Sequence, residues 1–126
     1  MAAVQDGVPF VQADQGLFRG AGCLDGGATP TGIQNCGSFT GAGMIIGHLC
    51  GRTRREGQFE GDARLSHELM REVYERFKKE YGSVLCKDVR KAVKDDCPKV
   101  VGRAAQWTAE TLLKTFTDYR EQEQPT

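Results

Sequence analysis

The sequence predicts an all-α domain, a small four-helix bundle behind a glycine-rich N-terminal loop. Three observations carry this expectation. Apolar residues recur at helical spacing through the second half of the chain, short connections separate these runs, and no stretch alternates apolar and polar residues as a strand does. The length of 126 residues suits one domain with one modest core. Within residues 1–126 we read an irregular, glycine-rich stretch over 1–33, a helical core over 34–117 and a polar tail over 118–126. Composition shifts sharply near Gly51: twelve of the 16 glycines lie at or before it, against four of the 34 charged residues. This pattern reads as a buried element followed by amphipathic ones.

Asp14–Arg19 suits a short turn or the tail of a helix, and Gly20–Gly32 a loop, because its glycines and Pro30 leave little helix propensity. From about Gln34 to Cys50 the residues are small or apolar on every side, the signature of a buried helix. Glycines at 37 and 41, and at 43, 47 and 51, would let another backbone approach it closely. Asp62 suits the cap of an amphipathic helix whose stripe is Leu65, Leu69, Val73, Phe77 and Tyr81, widened by Met70 and Tyr74. Gly82 supplies a stop, Ser83 a cap for a short helix over Val84–Val93, and Pro98 the first turn of a last helix. The apolar set of that helix is Val100, Val101, Ala104, Ala105, Ala109, Leu112, Leu113 and Phe116.

Basic and acidic residues balance at 17 each, so there is no electrostatic footprint for nucleic acid. The longest apolar run, Phe39–Cys50, is too short and too rich in glycine to span a bilayer. The first residues carry neither the basic nor the apolar region of a secretory signal, which makes the cytoplasm the expected compartment. Its reducing poise favours thiols or metal ligands over structural disulfides, and an odd count of five cysteines agrees.

Three cysteines fall at predicted helix starts: Cys36, Cys86 and Cys97. Unpaired backbone N–H groups and the helix dipole favour a thiolate there, and the thiolate is both nucleophile and metal ligand. Cys36 and Cys50 lie on one helix and would be about 21 Å apart along its rise, so Cys50 reads as packing. Cys23, in the glycine loop, could fold back toward Cys36. The best four-thiol set is therefore Cys23, Cys36, Cys86 and Cys97, and four thiolates are what an iron–sulfur cluster normally requires. No C-x-x-C pair strengthens the case. His48 and His67 stand alone, no catalytic Ser–His–Asp order, HExxH or P-loop is present, and Arg52, Arg54 and Arg55 read as a solvated helix end.

These residues resemble the C-GCAxxG-C-C family of redox-type proteins. Cys36-Gly-Ser-Phe-Thr-Gly-Ala-Gly-Met-Ile-Ile-Gly47 is similar to that family's segment CGALTGAIMALG and likewise follows a glycine-rich loop, here GAGCLDGG. Phe77-Lys-Lys-Glu-Tyr-Gly-Ser-Val-Leu-Cys86 resembles its FKEEFGSIxC segment, and Cys97 with Val100, Val101, Ala104 and Ala105 matches its last cysteine and closing helix. The resemblance covers Gln15–Leu113. It implies a helical domain, related to the cluster-bearing part of split-Soret cytochromes, whose functional cysteines here are Cys36, Cys86 and Cys97. The family's opening helix, with its first cysteine and GCAxxG element, has no counterpart in these residues. Either the chain is shortened, or Cys23 or a partner chain supplies the missing ligand, or the site has decayed to a structural role.

The expectation is a cysteine-based redox or electron-transfer module holding an iron–sulfur cluster, working as a homodimer or with a partner redox protein. The alternative from a different class is a helical interaction subunit whose cysteines only pack. A thiol enzyme using Cys36 is disfavoured, because the sequence offers no evident general base.

Overall fold

The computed structural model describes residues 1–118, so the expected polar tail lies, from residue 119 onward, outside the described residues. The order of elements is α1 (Ala2–Gly7), α2 (Gln15–Gly20), α3 (Gly37–Cys50), β1 (Thr53–Arg55), β2 (Gln58–Glu60), α4 (Arg64–Tyr81), α5 (Cys86–Ala92) and α6 (Cys97–Phe116). The all-α four-helix expectation is thus corrected. The fold is mostly helical, but the described residues hold six helices and a two-stranded antiparallel hairpin.

The hairpin arises where Arg52–Arg55 was expected to close a helix. Glu56 and Gly57 both take positive φ, 53° and 81°, the combination that a tight two-residue hairpin turn requires. Thr53 pairs with Glu60, Arg54 with Phe59 and Arg55 with Gln58. Every residue of both strands is exposed, so no apolar alternation announces them. The guanidinium of Arg52 lies 5.2 Å from the centre of the Phe59 ring.

The core is made where α3, α4 and α6 pack together. Phe77 and Val73 of α4, Ile45 and Ile46 of α3, and Leu112 of α6 are all but sealed from solvent. Phe77 sits at the hub of an aromatic cluster, edge-on to Phe39 at 5.4 Å, Tyr81 at 5.5 Å and Trp107 at 5.4 Å. The buried face of α6 is Val100, Ala104, Trp107, Thr108, Thr111 and Leu112, rotated from the aliphatic set read in the sequence; Val101 and Phe116 are exposed. Thr108 tolerates burial because its hydroxyl donates to the carbonyl of Ala104 at 2.7 Å. α1 packs on α6 and buries Val4, and Val8 and Val11, at i+4 and i+7 in the segment that follows, are buried too.

Several boundaries fall where side chains dictate. Asp14 caps α2 by accepting from the Leu17 amide at 2.8 Å, Asp62 accepts from the Arg64 amide at 2.8 Å, and Gly82 ends α4 in the left-handed conformation at φ 75°. Of the glycine ladder of α3, Gly37 admits the close approach of another segment's backbone as expected, while Gly41, Gly43 and Gly47 do not. A Cβ at Gly37 would lie 2.9 Å from the Asp25 backbone, whereas at Gly43 it would meet only the flexible end of Met70, and at Gly41 and Gly47 it would meet nothing within 4 Å. Gly37→Ala should therefore cost about 1–3 kcal/mol by overpacking. Gly41→Ala should instead stabilise by about 0.5–1 kcal/mol, since alanine restricts the unfolded chain and fits the helix. Denaturant midpoints of the two variants, moving in opposite directions, check this.

Candidate thiol site

The site is built on a short backbone bridge between the two segments that lead into α3 and α5. The amide of Cys36 donates to the carbonyl of Val84 at 2.7 Å, and the amide of Cys86 donates to the carbonyl of Gln34 at 2.8 Å. This antiparallel bridge is centred on Asn35 and Leu85. Residues alternate faces across such a pairing, so Cys36 and Cys86 share one face as a diagonal pair. Diagonal neighbours stand roughly 7–8 Å apart, beyond the Cα separation of at most about 6.8 Å that a disulfide accepts.

The glycine loop fastens onto the same bridge. Gly26, Gly27, Ala28 and Thr29 all take positive φ, which curls the chain so that Gly27 accepts from the Gln34 amide at 3.1 Å and Gly32 from the Lys87 amide at 3.0 Å. A Cβ on Gly27 would fall 2.8 Å from the Cβ of Cys86, so only glycine fits against this cysteine. Ser83 supports the segment from the other side. Its hydroxyl accepts from the Leu85 amide at 3.0 Å and donates to Asp88 at 2.8 Å, so it braces the start of α5 two residues ahead of the helix cap Leu85.

Cys97 arrives from the turn after α5. Lys94 and Asp95 both have positive φ there, 53° and 65°, and Arg90 donates through Nε to Asp95 Oδ1 at 3.0 Å. Pro98 follows Cys97 in the first turn of α6. Cys36, the cap residue of α3, Cys86, the first residue of α5, and Cys97, the first of α6, all line one cavity of about 350 Å³. Its remaining wall is mainly apolar, with Val89, Val100 and Val101, and it includes the side chain of Arg90. The five cysteines are all free.

The other two cysteines lie apart from this lining. Cys23 is exposed on the glycine loop, whose neighbouring residues Asp25 and Gly26 reach the cavity. Cys50, at the far end of α3, donates its thiol to the Ile46 carbonyl at 3.2 Å, and burial pushes its pKa up. Among the described residues, no three His, Cys, Asp or Glu side chains form a group that could hold a metal ion. Arg90 is a cavity residue outside the set expected from the sequence. Its signal was the i, i+4 spacing from Cys86 on α5, which puts both on one helix face.

A helix start was expected to favour the thiolate at Cys86, and here burial wins. Desolvation pushes the Cys86 thiol up, the neighbouring Cys36 and Cys97 push it further, and Arg90 opposes them. The group therefore holds its proton more tightly when folded than when unfolded. Its stabilisation is complete below the ordinary thiol value of about 9 and is lost as pH rises above it. Thermal melts from pH 7 to 10 should show stability falling above pH 9, with a shallower fall in Cys86→Ala. Gly27→Ala should lower stability by about 1–3 kcal/mol and make Cys86 accessible to alkylation, read by mass spectrometry of the labelled protein.

No helix of the described residues is long and apolar enough to cross a membrane. Comparison with curated proteins and with solved structures gives no match. A family model does match, described as "Putative redox-active protein (C_GCAxxG_C_C)", over residues 1–111. That span takes in α1 and α2, the whole bridge, all five cysteines and most of α6. The chain belongs to the C_GCAxxG_C_C family of redox-type proteins.

Proposed function

We propose that this protein is an electron-carrying thiol module in which Cys36, Cys86 and Cys97 act as one site. The observation that carries this reading is their meeting on a single cavity from the starts of three different helices. Cysteines that only packed would have no reason to share a solvent-connected space, and Cys50 shows what packing looks like in this fold: a thiol bonded to its own helix.

Two chemistries fit a redox role. Thiol–disulfide exchange needs two thiols at a time and an accessible one to begin, which the cavity provides. An iron–sulfur centre normally needs four thiolates. As placed, Cys36, Cys86 and Cys97 do not form a metal-holding group, so such a centre would need these thiols drawn closer and a fourth from Cys23 or a partner chain. The exchange form is favoured because it asks for no further ligand. A reducing compartment such as the cytoplasm suits five unpaired cysteines. The exposed Val101 beside the cavity offers an apolar contact to a partner redox protein or to a second copy of the chain.

The test is to oxidise the fully reduced protein mildly, alkylate it and map the cysteines by mass spectrometry. Iron and sulfide assays on protein prepared without oxygen run alongside. We expect two of the three cavity thiols to be lost together and recovered on reduction. Thiols that stay inert through oxidation, in protein without iron, would leave the packing-only interaction subunit as the better account.

A further inference from the structure

The geometry points to a fixed order of events at this site: Cys97 is the thiol that meets an external disulfide, and Cys86 is the thiol that resolves the adduct. This rests on the exchange form of the proposed function.

The three cavity cysteines differ in access. Cys97 is exposed, Cys36 is half-buried and Cys86 is only 5% exposed. An incoming disulfide can align with an attacking sulfur only where solvent reaches that sulfur, so the first encounter falls to Cys97. Cys23 is also exposed, but it lies outside the cavity lining, and an adduct there would have no resolving thiol at hand.

The second step needs a sulfur that can move into contact. Cys36 and Cys86 are tied to each other's segments by reciprocal backbone hydrogen bonds and stand as diagonal neighbours, so their backbones cannot draw closer without breaking the bridge. Cys97 is not bound into that bridge. It follows the turn at Lys94 and Asp95, which is closed by local bonds alone: the Asp95 amide on the Arg90 carbonyl at 2.9 Å, the Cys97 amide on the Asp95 carbonyl at 3.0 Å, and the exposed Arg90–Asp95 ion pair. Cys86 and Arg90 sit one helical turn apart on α5 and line the same cavity, so the guanidinium that tethers this turn also acts on the Cys86 thiol. The cation favours the Cys86 thiolate at the moment it must attack. Cys36 lacks that neighbour on its own helix, and it packs against the core.

The chemistry balances with a low-mass disulfide as oxidant. The Cys97 thiolate attacks one sulfur of the disulfide, forming a mixed disulfide and expelling one small thiolate. The Cys86 thiolate then attacks the Cys97 sulfur of the mixed disulfide, forming the Cys86–Cys97 bond and expelling the second small thiolate. Two electrons pass from the protein pair to the oxidant, and the two protons of the protein thiols end on the two small thiols.

The experiment treats reduced full-length protein with oxidised glutathione, quenches with acid over time and follows intact mass and peptide maps. Single serine variants at Cys23, Cys36, Cys86 and Cys97 are compared. In the unsubstituted protein we expect a transient adduct of one glutathione, replaced by an internal disulfide. Cys97→Ser should slow adduct formation at least tenfold, Cys86→Ser should trap the adduct on Cys97, and Cys23→Ser and Cys36→Ser should follow the unsubstituted course. As a control for folding, Arg90→Gln should slow loss of the adduct without slowing its formation, with Arg90→Lys restoring it. Trapping in Cys36→Ser rather than Cys86→Ser, or normal adduct formation in Cys97→Ser, would overturn the order while leaving the redox reading standing. An unsubstituted protein that forms no internal disulfide would overturn the exchange reading and this order with it.

Discussion

Two reciprocal hydrogen bonds, from Cys36 to Val84 and from Cys86 to Gln34, hold this molecule's site together. They join segments fifty residues apart in sequence and fix where α3 and α5 begin. Because each donor is the amide of a cysteine, the bridge places those two side chains as directly as it places the backbone. The glycine loop adds a third layer by hydrogen bonding to both strands of the bridge, and its left-handed curl is what brings Gly27 against Cys86. The core of α3, α4 and α6 supplies the burial energy, but the bridge converts that packing into a site.

Burial and helix geometry pull in opposite directions at the thiols. A helix start offers partial positive charge, which by itself would stabilise a thiolate. At Cys86 the cost of removing charge from water is larger, and Arg90 offsets only part of it. The result is a division of labour within one cavity: a shielded thiol beside a cation, a half-buried one against the core, and an exposed one at the end of a strained turn.

Much of this was legible in the sequence. The stripe of Leu69, Val73 and Phe77, the stop at Gly82 and the helix opened by Pro98 all come from local rules of spacing and capping, which act over a few residues. The glycine-rich segment was recognisable as a loop for the same reason. What stayed hidden depends on distant partners. Trp107, Thr108 and Thr111 are buried because α6 is rotated to meet Phe77, and buried threonines carry no apolar signal. The strands of the hairpin over 53–60 are exposed throughout, so only its left-handed pair, Glu56 and Gly57, could have suggested it. Val4, Val8 and Val11 did carry a helical spacing, on a segment too short to stand out. Of the site, Cys36, Cys86 and Cys97 were legible as helix starts; the bridge linking two of them, and Arg90 beside them, were not.

The aromatic cluster gives the protein a built-in optical reporter. Trp107 is the single tryptophan of the chain, and it touches Phe77 and Tyr81. Tyr81 in turn lies within electrostatic reach of Cys36, whose charge helps push the phenol's pKa up, after burial and Glu80. Indole emission is sensitive to nearby groups, and this one fluorophore is buried at the centre of the core. Without any label, its intensity registers whether α4 and α6 remain packed against each other around Phe77.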